Sequence, residues 1–174
     1  MNSRLAAQVI DHVVNAGVSE FCICPGARNS PLIVLLIERM ESRRLHYFFE
    51  ERSAAFFAAG RARACGKPVA VVTTSGTAAA ELLPAVIEAH YSEIPIVLIT
   101  ADRPRRFRGT GAPQSIEQVG LFGCYVEMCL DLERLEGDEL CSLSGWSGKR
   151  PIHLNICFDE PLLGGDPGHR GAMP

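Results

Sequence analysis

No apolar run in this 174-residue chain approaches the roughly 18–20 residues that a membrane-spanning helix requires; Leu32 to Ile37 is followed at once by Glu38 and Arg39. Met1-Asn2-Ser3-Arg4 leads straight into an amphipathic helical pattern, so the start does not read as a signal peptide. The seven cysteines include no Cys-x-x-Cys pair and lie mostly in apolar stretches. They read as small buried hydrophobes in a reducing compartment, with no zinc site among them. Strong charge of one sign is missing too: a formal net charge of −3 draws neither nucleic acid nor an anionic membrane. The one basic cluster, Arg103-Pro104-Arg105-Arg106-Phe107-Arg108, is a local feature of a single loop. G-x-G-x-x-G spacing, a Walker lysine and internal repeats are all absent. What remains is a soluble, cytoplasmic protein with no nucleic-acid or membrane partner.

What is present is a hydrophobic content of 47% in the length of one domain, enough for a substantial core. Leu5, Val9, Ile10, Val13 and Val14 share one helical face, and Gly17 suits the stop after it. Short apolar strands are expected at Phe21–Cys24, His46–Phe49, Val69–Thr73, Ile96–Thr100, Tyr125–Leu130 and Ile152–Ile156. Helices are expected from Ser30-Pro31 to about Met40, with Ser30 as N-cap, and from Arg52 to Cys65 before Gly66. A third, of small residues, runs from Thr77 to about Tyr91 with a kink at Pro84, and a short one starts near Ser115. Near-continuously apolar strands joined by helices predict an α/β fold: a mostly parallel sheet of about six strands, flanked by helices on both faces. Residues 1–163 form this domain, and 164–174 read as a linker or tail toward further domains. Right-handed crossovers bring four loops to the carboxyl edge of the sheet: Pro25–Ser30, Glu50–Ser53, Thr74–Thr77 and Ala101–Gln114.

Each loop has an ordinary reading and a chemical one. Glu50-Glu51 at a helix start complements the helix dipole, but a carboxylate backed by aromatics is also poised to hold or share a proton. Thr74-Ser75-Gly76-Thr77 is a tight turn whose N–H groups suit an anion, or whose lack of bulk lets a planar ring approach the backbone. Arg28 and Arg103 are surface residues of two loops, or two forks for the carboxylates of one substrate.

In order, the segments Pro-Gly-Ala-Arg-Asn-Ser-Pro-Leu, Glu-Glu-Arg-Ser-Ala, Thr-Thr-Ser-Gly-Thr-Ala, Thr-Ala-Asp-Arg-Pro and Gly-Ala-Pro-Gln-Ser-Ile resemble one family. It is the 2-succinyl-5-enolpyruvyl-6-hydroxy-3-cyclohexene-1-carboxylate synthases of menaquinone biosynthesis, which are thiamine-diphosphate transferases. The resemblance runs from about Leu5 to Leu121, resumes at Ile152–Leu162, and covers only the family's N-terminal, pyrimidine-binding domain. It implies that Glu51 hydrogen-bonds the cofactor pyrimidine N1′ and so promotes loss of the C2 proton, with Glu50 where the family often has another acid. It implies cofactor contacts at Ser75, Gly76 and Gln114. Arg28, Arg103 and Gln114 would then meet the substrates, 2-oxoglutarate and isochorismate.

The resemblance also implies Mg²⁺ or Mn²⁺, held with the diphosphate by a domain absent from this chain; Gly164-Gly165-Asp166-Pro167-Gly168 is not that metal motif, so no metal ligand and no turnover are expected here. A homo-oligomer, dimer or tetramer, is implied with the site between subunits, and Leu82, Leu83, Val86 and Ile87 are the expected apolar interface. Ala27 stands where the family commonly has serine, Pro113 replaces a small polar residue, and Asp131–Arg150 is short for the last crossover. These departures leave open a stand-alone regulatory or interaction module that kept the fold and lost catalysis. Acetolactate-synthase-like enzymes fit less well, because they carry Gly-Pro-Gly where Ser75-Gly76-Thr77 stands.

Overall fold

The computed structural model describes residues 2–134 and 139–163. The tail expected at 164–174 lies outside the described residues. Six strands pair entirely in parallel: β1 (Glu20–Ile23), β2 (Leu45–Tyr47), β3 (Val69–Thr73), β4 (Ile96–Asp102), β5 (Cys129–Leu132) and β6 (Ile152–Cys157), in the order β2-β1-β3-β4-β6-β5. Every residue of β3, β4 and β6 is buried, as strands covered on both faces must be.

Successive residues of these strands serve opposite cores. Ala70, Val72, Val97 and Ile99 join the layer under α1 (Asn2–Asn15) and α2 (Ser30–Arg39). Val69, Val71, Ile96 and Leu98 face α3 (Glu51–Cys65) and α5 (Leu83–Tyr91). The alanines of α3 (Ala54, Ala55, Ala58, Ala59 and Ala62) are the buried stripe that lets this helix lie close on the sheet. Gly66 ends it in the left-handed conformation, φ 66°.

At the amino edge, Glu20 of β1 accepts hydrogen bonds from Arg61 of α3 and from His46 of β2 (Nε2–Oε2, 2.7 Å). Its carboxyl is held down at about 2, chiefly by the Arg61 hydrogen bonds, against an opposing effect of burial. This tripod fastens the three-residue edge strand β2 and helix α3 to the sheet.

Four expectations need correction. Asn29, not Ser30, is the N-cap of α2, and its side chain turns back into the preceding loop instead of capping. The kink at Pro84 is a full break, with α4 (Thr77–Ala80) ending before α5 begins under Pro84 in its first turn. No helix forms near Ser115: Gln114 at φ 56° and Gly120 at φ 79° bracket the segment with left-handed residues that a right-handed helix excludes. The strand expected from Tyr125 starts only at Cys129, because Gly123–Tyr125 forms a 3₁₀ turn and Tyr125 is drawn to α5, where its carbonyl accepts from His90 Nδ1 at 3.2 Å. The short last crossover contains a 3₁₀ helix at Glu139–Gly145.

Candidate functional site

The chain leaves β1 toward the α2 face and leaves β3 toward the α3/α5 face, so the crevice between these neighbouring strands is a topological switch point at the carboxyl edge. The two loops there touch. A side chain at Gly26 would put its Cβ 2.5 Å from Thr74 Cβ, so only glycine allows the approach. Asn29, fully buried, locks the first loop: its Oδ1 accepts from Gly26 N and its Nδ2 donates to Cys24 O, both at 2.9 Å.

The second loop meets the one after β4. Arg103 Nη1 donates to Ser75 Oγ (3.0 Å) and to the Gln114 carbonyl (3.2 Å). One nitrogen makes both contacts; Nε and Nη2 of Arg103 have no partner among the described residues, leaving part of the fork available to an anion. Gly76, at φ 83° and ψ −139°, packs flat on Gln114, whose Cβ and carbonyl oxygen would lie 3.2 Å from any Cβ at position 76. Ser75, Gly76, Arg103 and Gln114 thus form one cluster. The Gly76 N–H is already committed to Gln118 Oε1 at 2.8 Å and its carbonyl to Ala79 N, so this peptide is not an open anion nest.

Glu50 and Glu51 follow β2, two strand positions away from β3, which is about 10 Å at the usual spacing. Glu50 caps α3: its carboxylate accepts from Arg52 N (3.0 Å), Ser53 N (2.7 Å) and Ser53 Oγ. The Ser53 hydroxyl and amide hold its pKa below the usual carboxylate range. The side chain of Glu51, the first helical residue, makes no hydrogen bond or ion pair with any described residue. Its charge nevertheless reaches the end of β1. The Cys24 thiol is pushed up to about 12, first by burial and then by the negative charges of Glu51 and Glu50.

Arg28 is not drawn to this cluster. Its Nη1 donates to the Phe158 carbonyl (3.1 Å) and pairs with Glu160 Oε1 (3.1 Å), beyond β6. The basic cluster after Arg103 is neutralised locally. Arg105 pairs with Asp131, Arg106 with Asp159, and Arg108 with both Asp131 and Asp102.

Sequence reasoning missed a buried polar network beneath the site. Gln118, fully buried, donates from Nε2 to Asn155 Oδ1 (2.8 Å) and Ala101 O (3.3 Å). Asn155 Nδ2 donates to Asp102 and Asp131, and Thr100 Oγ1 donates to Asn155 Oδ1 while bonding His153 Nε2 at 2.8 Å. The signal was visible: Thr100, Asp102, His153 and Asn155 are polar residues inside otherwise apolar strands, where an unpaired polar group costs more than its hydrogen bond returns. Among the described residues, no group of three or more His, Cys, Asp or Glu could hold a metal ion, and no helix is long and apolar enough to cross a membrane.

An all-parallel domain with helices on both faces and a switch point between β1 and β3 belongs to the open α/β class, whose ligands bind at the carboxyl edge of the sheet. Residues 3–121 match the N-terminal TPP-binding domain of thiamine pyrophosphate enzymes, and the chain belongs to that family. It is similar to the 2-succinyl-5-enolpyruvyl-6-hydroxy-3-cyclohexene-1-carboxylate synthases of Bdellovibrio bacteriovorus, 53% identical over 164 residues, and Akkermansia muciniphila, 50% identical over 158. The alignments cover 94% and 91% of this chain but only 31% and 29% of those proteins. The chain therefore spans about a third of the length of the curated relatives it matches.

Proposed function

We propose that this chain supplies the pyrimidine-binding half of the active site of a 2-succinyl-5-enolpyruvyl-6-hydroxy-3-cyclohexene-1-carboxylate synthase in menaquinone biosynthesis. The observation that carries the reading is the pair Glu50 and Glu51: one carboxylate is consumed by the helix cap, and the other is left unpartnered at the strand end. An acceptor in that state is what a protonatable ring nitrogen requires. Thiamine diphosphate, when bound, supplies the electron sink that lets 2-oxoglutarate lose carbon dioxide and its four-carbon remainder add to isochorismate. Glu51 holds or moves the proton at pyrimidine N1′. Gln114 is exposed and would line the ring's site, with Ser75 and Gly76 buried behind it, and the spare donors of Arg103 and Arg28 would hold substrate carboxylates. The diphosphate and its Mg²⁺ or Mn²⁺ belong to a further domain.

Several exposed aromatic residues flank Glu51 in sequence. Phe49 is completely exposed, and Tyr47, Phe56 and Phe57 are 55%, 45% and 39% exposed. Of the four residues expected at an interface, Leu82 and Val86 are fully buried against the sheet, while Leu83 and Ile87 are half-buried, so the exposed aromatics are the better support for assembly. In the reading offered, a second subunit of a cytoplasmic homo-oligomer covers the aromatic patch and desolvates Glu51, closing the site between chains.

The test is carbon dioxide release by the full-length subunit with thiamine diphosphate and Mg²⁺. Release should need 2-oxoglutarate and rise on addition of isochorismate. A preference for pyruvate over 2-oxoglutarate would rule the assignment out.

A further inference from the structure

We infer that Gln118 is a positioning residue for the cofactor-facing loop, acting through Gly76 without touching cofactor or substrate. The inference rests on the proposed function for what the loop binds, but the clasp itself is a matter of geometry. Gly76 sits at φ 83° and ψ −139°, a conformation that side-chain-bearing residues do not hold, and such a peptide keeps its shape only if its surroundings fix it. Gln118 Oε1 takes its N–H at 2.8 Å, forty-two residues away in sequence. The other end of the same amide is pinned by Asn155 Oδ1 on β6 and by the carbonyl of Ala101 on β4. The amide therefore cannot rotate without unpairing two buried partners, at a cost its own freedom does not repay.

The hydrogen-bond directions are self-consistent. Thr100 donates its hydroxyl proton to Asn155 Oδ1, so His153 must donate from Nε2, and its Nδ1 is left to accept from Cys129 Sγ at 3.3 Å. A polar chain thus runs from the edge strand β5 through β6 and β4 to Gly76. Its last side chain, Gln118, lies four residues after Gln114, whose carbonyl Arg103 ties to Ser75. One side chain sets both walls of the cluster: Gly76 through its amide, and Gln114 through the short loop they share.

The direct experiment needs no variant. In the cofactor-free protein the Gly76 amide should be among the slow-exchanging protons of its loop, well behind those of Gly109 and Gly111. Exchange as fast as at those exposed glycines would overturn the clasp. The second arm uses Gln118→Met in the full-length subunit, which keeps the bulk and removes the acceptor for Gly76 together with the donor to Asn155 and Ala101. Losing the partner of a buried donor corresponds to roughly 5- to 100-fold, and the loss is expected in the thiamine diphosphate concentration for half-saturation, with kcat at saturating cofactor near the parent value. Thr100→Val is the comparison, since it disturbs the same network and leaves the Gln118–Gly76 bond in place. An equal loss of cofactor affinity in Thr100→Val, or a fall in kcat alone in Gln118→Met, would show that Gln118 supports the core and does not position the loop. If the parent subunit itself fails to respond to thiamine diphosphate, the functional reading fails while the exchange result stands.

Discussion

The carboxylate of Glu50 is closed around the amides of Arg52 and Ser53, while that of Glu51, one residue later, has no partner among the described residues. Adjacent acids that look interchangeable in the sequence are thereby given different work. Glu51→Gln in the full-length subunit is expected to abolish exchange of the thiamine C2 proton and to leave the melting temperature unchanged. Glu50→Gln is expected to do the reverse, because it weakens the helix cap and keeps the free acid. Parent-like exchange in Glu51→Gln would transfer the role to another residue.

The two arginines are expected to separate kinetically. Among the described residues Arg28 is braced only by Phe158 and Glu160, so Arg28→Ala should raise KM for a substrate acid and spare the cofactor. Arg103 braces Ser75 and Gln114 as well, so Arg103→Ala should weaken both substrate and cofactor. Losing one desolvated carboxylate contact is worth on the order of 2–5 kcal/mol, or about 30- to 4,000-fold. Lysine should rescue poorly at position 103, where one guanidinium must span two acceptors and still offer a donor. Steady-state kinetics with each acid and the cofactor varied in turn will decide. Unchanged constants in both variants would return the arginines to the surface.

Acid should loosen this domain in two stages. Burial pushes the pKa of His153 down from 6.5 to about 3, so the unfolded chain takes up its proton first as pH falls. Its contribution is complete above about pH 6.5 and is lost at about 1.4 kcal/mol per pH unit on the way toward pH 3. Burial alone would raise the Asp131 carboxyl, but hydrogen bonds from Arg108 and Asn155 and the charge of Arg108 prevail and hold it at about 2. That contribution is present above the ordinary value of 3.8 and is lost as pH falls through about 2. Urea unfolding at pH 7.5, 6 and 5 should show a falling stability in the parent and a flatter one in His153→Gln. Parallel slopes in the two proteins would contradict the assignment.

In the proposed assembly Phe49 and Phe56 would carry the subunit contact. Phe49→Ser with Phe56→Glu should shift sedimentation toward the monomer and reduce activity in proportion, with far-ultraviolet circular dichroism unchanged. The matching change at α5, Ile87→Glu, should leave assembly intact. A double variant that still sediments as the parent would remove the aromatic patch from consideration.

The parallel sheet of about six strands and the positions of the four site loops were accessible to sequence reasoning because they rest on local signals, whereas the strand order was not read from the sequence. Val69–Thr73 is uniformly apolar, Gly66 stops a helix, and right-handed crossovers then decide the edge. What escaped was set by distant partners. Ser30 looks like a better cap than Asn29 until the buried loop claims the Asn29 amide. Ser115–Gln118 has helical composition, but Gln118 is spent on Gly76 and Asn155, which lie 42 and 37 residues away. Whether Arg28 faces Arg103 could not be read from two loops at one edge, because Glu160 competes for it from a third.

The tripod of Glu20, Arg61 and His46 lies at the opposite end of the sheet from the four loops. The tripod thus braces the sheet at the end away from the proposed site. An engineer could tighten the amino end, by better charge placement around Glu20 or a shorter entry into β2, without drawing on the looseness that a reacting surface needs. The usual exchange of activity for robustness arises where one residue must serve both ends. Here the edge strand that leads to Glu51 is anchored at His46, while Glu51 itself, the first residue of α3, keeps its side chain unpartnered among the described residues.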